Sequence, residues 1–478
     1  MKKPSLFLSL IPVILLVSLL IVNVIIFKDD ATSGANQTAL LLSALVAGLI
    51  GHFIQGVSFK QIEEGIVDSL TSSISAMNIL IVIGALIGMW ILSGTVPAMI
   101  YYGLKLISPV IFLPVACIIC CITALATGSS WSTTGTIGIA LLGIGETLGL
   151  PSGLIAGAIV SGAYFGDKMS PLSDTTNLAA AMAGTDLFKH IRHMVYTTGP
   201  AIVIAIILYA IFGFFYSGQT LDEKSILIIQ ETLDKHFHIS PFLFIPPLVV
   251  LFMIRKKVSA LPAISFGILA GALVAIFFQG DLIREVMGDG SVKSFYTILT
   301  KVSYGGFEFE TGHKVIDSLL NRGGMKGMLS TLWLIISAMI LGGTLEATGM
   351  LQTIAGSILK LVTGTGSLIG ATLASCLFLN ATASDQYLAI VVSGRMFRTA
   401  YDDYDLAPEN LSRALEDSGT VTSPLIPWNS CGAYESGVLG VSTLTYAPYA
   451  FFNYLSPLIA LFFAAMKIGI KKKIEDKA

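Results

Sequence analysis

The chain reads as an all-α protein that crosses a membrane many times, and three observations lead there. Of its 478 residues 54% are hydrophobic and only 12% charged, with a mean hydropathy of +0.80; ordinary soluble and disordered chains do not have that balance. Apolar runs of near the ~20 residues a spanning helix needs recur along the whole length. Glycine is abundant, with 47 residues, as expected where membrane helices pack closely or break. A net charge of −2 over this length argues against nucleic acid as a partner.

Uninterrupted spans are expected at 6–27, 38–57, 74–96, 194–217, 240–254, 261–279, 328–347 and 446–466, of which 240–254 is short. Lys2 and Lys3 ahead of Leu6–Phe27 imitate a signal peptide. The apolar run is too long for a secretory one and no small-x-small cleavage site precedes Lys28, so it reads as a retained first span. Four further apolar stretches are interrupted by polar clusters: 109–145 at Thr127–Thr134, 152–183 at Asp167–Asn177, 366–394 at Asn380–Gln386, and 411–445 at Ser418–Glu435.

These pieces repeat. Ile66–Leu70 reappears as Val315–Leu319, Ala126–Ser129 as Ala381–Ser384, and Ser170-Pro-Leu172 with Asn177 beyond as Ser423-Pro-Leu425 with Asn429 beyond. The offsets are 249, 255 and 253, in the same order along the chain, which indicates an internal duplication. Lysine and arginine set the orientation. Lys2/Lys3, Lys60, Lys189–Arg192, Arg255–Lys257, Arg395/Arg398 and Lys467–Lys473 are expected in the cytoplasm. Lys28–Asp30, Asp222/Glu223 and the loop 280–327 are expected outside. These assignments hold together if 109–145 and 366–394 are re-entrant hairpins and 152–183 and 411–445 are crossing but broken helices. Ten crossings and two hairpins follow, five crossings to each half, with both termini inside. Residues 1–233 and 234–478 then form two repeats of opposite orientation.

Inverted repeats with broken helices at the midplane are a transporter plan, with substrate bound where the halves meet. The run Gly166–Asn177, GDKMSPLSDTTN, is the most informative part of it. A charge at bilayer depth costs roughly 2.5–3.5 kcal/mol on insertion scales, so it is expected to face a protein-lined path. Pro171 breaks the helix and frees backbone carbonyls, which membranes tolerate only where they line a cavity. Sodium wants oxygen ligands. The clusters supply them from Thr127, Ser129, Ser130, Asp167, Ser170, Ser173, Asp174, Thr175, Asn177, Thr382, Ser384, Asp385, Asn429 and Glu435. A desolvated carboxylate binds a proton or a cation but rarely both, and that competition is the simplest basis of sodium–proton antiport. Asp174 is the first choice for the shared carboxylate and Asp385 the second; Lys168 either balances Asp174 or Asp167 or snorkels or caps a helix end structurally.

Other groups take duller readings. Cys117, Cys120 and Cys121 read as buried apolar thiols rather than zinc ligands. The six histidines, His190 and His193 among them, fall in or beside predicted loops, and Asp402–Asp405 reads as a solvated acidic loop. GTGSLIG at 364–370 lacks the GK[ST] of a phosphate loop. No catalytic triad, nucleotide fingerprint or haem motif is present, so no enzyme activity and no cofactor beyond the transported ions is expected.

GAYFGDKMSPLSDTTNLA (162–179), ATGSSWSTTGTIGIA (126–140), LLNRGGMKGML (319–329) and SPLIPWNSCGAYESGVLGV (423–441) resemble the NhaC family of sodium–proton antiporters over about residues 60–465. That family includes sodium–lactate/malate–proton antiporters, so the resemblance implies an electrochemical exchanger more firmly than a substrate. It points to Asp167, Lys168, Ser170, Asp174 and Thr175 and to the tip around Thr127–Ser130, in a protein of the bacterial or archaeal inner membrane. ATASDQYLA (381–389) is more similar to the plain cation antiporters. Three alternatives stand beside the leading one: a sodium- and proton-coupled exchanger of a small carboxylate such as malate or lactate, a passive ion channel, and a membrane-embedded enzyme. An assembly of two copies is compatible with the sequence.

Overall fold

The computed structural model describes residues 3–27, 31, 34–106, 108–216, 223–256, 258–288, 291–312, 316–317 and 320–473. Lys28–Asp30, Asp222, Lys257 and most of the repeat match at 315–319 lie outside them. The described residues are helical, with a single bridge between Leu406 and Lys472 as their extended pairing. In chain order the helices are α1 (Leu6–Phe27), α2 (Ala35–Gln55), α3 (Phe59–Leu92), α4 (Thr95–Leu106), α5 (Pro109–Thr127), α6 (130–147), α7 (Ser152–Met169), α8 (Asp174–Ala183), α9 (Leu187–Tyr216), α10 (Glu223–His236) and α11 (Pro241–Arg255). They continue as α12 (Ala260–Phe278), α13 (Gly280–Met287), α14 (Val292–Gly305), α15 (Met325–Ala347), α16 (Met350–Leu359), α17 (Thr365–Thr382), α18 (Gln386–Asp403), α19 (408–420), α20 (Ser430–Leu439), α21 (Thr443–Tyr449) and α22 (Phe451–Ala465).

Eight of these helices are long and apolar enough to cross a bilayer, and up to ten if each bent pair is one span. The bends explain one weak stretch of the sequence. The short span at 240–254 continues a helix that turns by 89° across residues 237–240, and the last span turns by 55° at Ala450. The protein is therefore a multi-pass membrane protein. It exposes many large apolar side chains, Phe7, Ile25, Phe214, Phe277 and Leu361 among them, as a lipid-facing surface requires.

The centre is α7, where fifteen of eighteen residues are buried. It runs in the same direction as α5, and the two backbones touch where Gly162 and Gly166 meet the carbonyls of Cys117 and Cys121. A Cβ at either glycine would collide with those carbonyls, so glycine is required there. The same contact buries Cys117, Cys120 and Cys121, and no grouping of metal-ligating side chains occurs among the described residues. On its other side Gly153 and Gly157 of α7 press on the backbone at Thr445 and Tyr449. Polar groups are needed even in this dry centre: Tyr209 donates to the Gly157 or Tyr449 carbonyl at 2.8 or 2.7 Å.

The three aspartates of the acidic stretch at 402–405 are exposed, as expected. After α22 the chain doubles back, and Lys473 pairs with Asp402 at 2.7 Å. The Lys471 carbonyl accepts from the Ala407 amide (3.0 Å) and Asn410 Nδ2 (2.7 Å), Asn410 Oδ1 accepts from the Lys471 amide (3.1 Å), and the Gly469 carbonyl accepts from Arg413 Nη1 (2.9 Å). Deleting residues 467–478 removes these four bonds and uncovers Arg413. At about 0.5–1.5 kcal/mol each, the loss is roughly 2–6 kcal/mol. The thermal midpoint of the truncated protein in detergent is expected several degrees below wild type, and an unchanged midpoint contradicts this role for the segment.

Candidate ion site

Two breaks of like construction meet beside α7. Helix α5 ends at Gly128 in the left-handed region (φ 71°), followed by extended Ser129 (φ −153°) as the cap of α6. Helix α17 ends at Ser384, also left-handed (φ 60°), followed by extended Asp385 (φ −143°) as the cap of α18. Helices α8 and α20 are each ten residues long, capped by Ser173 and Asn429 and closed by left-handed Gly184 and Gly440. The pairs Gly128/Ser384, Ser129/Asp385, Ser173/Asn429 and Gly184/Gly440 are each 256 residues apart. This backbone spacing differs by one and three residues from the 255 and 253 of the sequence matches. Residue types matched Gly128 to Ala383, whereas the backbone places the left-handed turn at Ser384, a non-glycine residue for which that conformation costs on the order of 1 kcal/mol.

Each half's broken helix also leans on the other half's hairpin. Gly394 of α18 packs on Met182 of α8. Tyr434 of α20 stacks on Trp131 of α6 with ring centres 4.0 Å apart, and its hydroxyl donates to the Trp131 carbonyl at 2.8 Å.

In the first break the expected convergence is present. Ser130 donates to Asp167 Oδ2 from its amide (3.0 Å) and its hydroxyl (2.6 Å). Ser173 faces the same carboxylate and lies 3.1 Å from Thr175 Oγ1. Ser170, Asn177 and Thr127 hold backbone instead: Ser170 donates to the Leu125 carbonyl (2.9 Å), Asn177 to Ser173 (2.7 Å) and Pro171 (3.0 Å), and Thr127 weakly to Ala124. Ser129 accepts from the Ser132 amide at 3.1 Å.

Asp174 is the main correction. It is exposed at the first position of α8, as is Asn177 one turn on. A solvated carboxylate is not the desolvated switch the sequence suggested. The carboxylate buried at this break is Asp167, 6% exposed.

In the second break Asp385 is buried, caps α18 by accepting from the Leu388 amide at 3.0 Å, and faces Ser430. Asn380 donates to the Gly419 carbonyl (2.7 Å) and Thr422 Oγ1 (3.0 Å), and Asn429 to the Asn380 carbonyl (2.9 Å). Thr382 bonds within its helix, to Phe378 at 2.8 Å, while the Ser384 hydroxyl is buried without a partner. Glu435 is fully buried beside the Thr134 and Tyr164 hydroxyls, with neither oxygen closing a hydrogen bond. No ion pair reaches it among the described residues.

Lys168 is fully buried, and its partner is neither Asp167 nor Asp174 but Asp417 of α19. Asp417 Oδ1 also accepts from Thr197 (2.9 Å) and Ser456 (3.0 Å), and Arg413 Nε lies 4.0 Å from Oδ2. Sequence reasoning missed Arg413, Glu416 and Asp417 because it began the polar cluster of this helix at Ser418. Three charges in LSRALEDSG (411–419), inside an apolar stretch, were the available signal. His190 and His193, expected near loops, are fully buried in α9 with no hydrogen bond to either ring.

Similarity to known proteins gives the family. The profile of the Na+/H+ antiporter family matches residues 162–468. The chain is 37% identical to the Na+/H+ antiporter NhaC of Alkalihalophilus pseudofirmus, over 99% of this chain and 98% of that one. It is 39% identical to the malate-2H+/Na+-lactate antiporter of Bacillus subtilis, over 89% and 88%. It is 36% identical to the arginine/ornithine antiporter ArcD of Halobacterium salinarum, over 99% and 95%. With such similarity over nearly its full length, and with the family's GDKMSPLSD motif forming the first break, the chain belongs to the Na+/H+ antiporter family.

Proposed function

We propose that the protein exchanges Na+ for H+ across the cytoplasmic membrane by alternating access, with the two ions competing for Asp167. The charge balance of the buried site carries this reading. Lys168 and Arg413 both border Asp417, and no ion pair reaches Asp167, Asp385, Glu416 or Glu435 among the described residues. A centre with four unpaired acids favours cations and protons. A carboxylate substrate would need a free positive group there, and both candidates are engaged. The reading therefore favours the NhaC-like activity over the malate/lactate one.

Asp167 with Ser130, Ser173 and the carbonyls freed at the break supply oxygen donors for one Na+, and Asp385 with Ser384 serves that same ion from the other half. Asp174, at the exposed edge, draws cations toward Asp167. Repeats 1–233 and 234–478, inverted and leaning on each other's hairpins, would rock about α7 to open the site to either side. Competition fixes the sign of the pH effect. Protons displace Na+, so apparent sodium affinity falls as pH drops below the site's pKa, roughly tenfold per unit for one proton. Sodium affinity that stays flat from acid to alkaline pH refutes competition.

Sidedness gives a second test. Both termini, Lys256 and Lys473 are assigned to the cytoplasm and α14 to the outside. A cysteine at exposed Lys293 is expected to react with impermeant reagents from outside, and cysteines at Lys256 and Lys473 only after the membrane is opened. Labelling of Lys293 and Lys256 positions from one face overturns the orientation.

A further inference from the structure

We propose a second cation site, centred on Glu416 and adjacent to the break at Asp167; it rests on the reading that this protein binds Na+. Residues 415–420 of α19 form a widened helical turn, a distortion that recurs at functional sites. Glu416 in this turn is fully buried, and neither carboxyl oxygen has a hydrogen-bond partner. The Thr420 hydroxyl, on the same widened turn, is also fully buried and unpartnered. Thr175, from α8 of the other half, faces the same carboxyl.

An ionised carboxyl buried without donors is unfavourable by several kcal/mol. The folded chain does not supply the missing charge. Lys168 is the cation that faces Glu416, and its ammonium is held by Asp417 and by Ser456 at 3.1 Å. The remaining neighbours are Asp167 on α7 and the Cys376 thiol on α17, neither of which brings a positive charge. The Glu416 carboxylate thus has the Thr420 and Thr175 hydroxyls as neighbours, the latter also 3.1 Å from Ser173 Oγ. That donor set is all oxygen and suits a hard cation. The neighbouring Lys168 charge disfavours a divalent ion, so the occupant is Na+. Because Glu416 and Thr175 belong to different halves, an ion between them would tie α19 to α8 and couple its own binding to their relative movement.

The test is equilibrium binding of radioactive sodium to the purified full-length protein at alkaline pH. Wild type is expected to bind two Na+ per chain. Glu416→Gln is expected to bind one, with the remaining affinity within about threefold of wild type, and that retained binding reports a folded protein. Thr420→Val, which keeps the carboxylate, is expected to weaken one of the two sites roughly tenfold and leave the other unchanged. One Na+ per chain in wild type, or two in Glu416→Gln, overturns the site. A Glu416→Gln protein that changes proton release but not the sodium count overturns it in favour of a proton carrier. A wild type that binds no Na+ at all refutes the exchange reading itself, which is how the two failures are told apart.

Discussion

Asp167→Asn is expected to abolish sodium-driven proton movement, by at least about a hundredfold, while leaving a folded protein in the membrane. The amide oxygen can still accept from Ser130, whose amide and hydroxyl lie 3.0 and 2.6 Å from Asp167, so packing is kept. What is lost is the group that alternates between a proton and a cation. Asp174→Asn is the comparison. Being exposed at the start of α8, it is expected to raise the sodium concentration needed for half-maximal exchange several-fold with little change in maximal rate. Exchange at the wild-type rate by Asp167→Asn rules out the assignment, and so does a larger loss in Asp174→Asn than in Asp167→Asn.

Lys168→Gln has the second large effect, on stability. Asp417 would be left fully buried with Thr197, Ser456 and a distant Arg413. Removing one partner of a buried pair typically costs 3–5 kcal/mol, about half of what holds many proteins folded. The single variant is therefore expected to give little folded protein. Adding Asp417→Asn removes the orphaned charge and is expected to restore most of the folded yield, with hydrogen bonds to Thr197 and Ser456 retained. Fluorescence-detected size exclusion with a heating series reads both. A Lys168→Gln protein as stable as wild type contradicts the pairing, as does a double variant no better than the single.

Much of the architecture was legible in the sequence because membrane helices are written in long apolar runs, and the breaks in charged and prolyl interruptions. The helices at 6–27, 35–55 and 260–278 follow their apolar runs closely. The convergence of Ser130 with Asp167 follows from two polar clusters that can only be tolerated together. Three things were hidden for physical reasons. Whether Asp174 faces the protein or the solvent depends on the direction of α8 after Pro171, which local sequence does not encode. The partner of Lys168 lies 249 residues away on α19, and no local pattern specifies which acid a buried lysine meets. The repeat register is a property of backbone conformation, and Ser384 takes a turn that residue type alone assigns to glycine.

The central claim is that sodium and protons suffice as the exchanged pair. Liposomes holding the purified protein, loaded with NaCl and diluted into sodium-free buffer with no organic substrate, test it most directly. The account predicts that the lumen acidifies as Na+ leaves, that the acidification is absent with Asp167→Asn, and that malate, lactate, arginine and ornithine do not increase it. A lumen that stays at constant pH until one of those compounds is added would contradict the account.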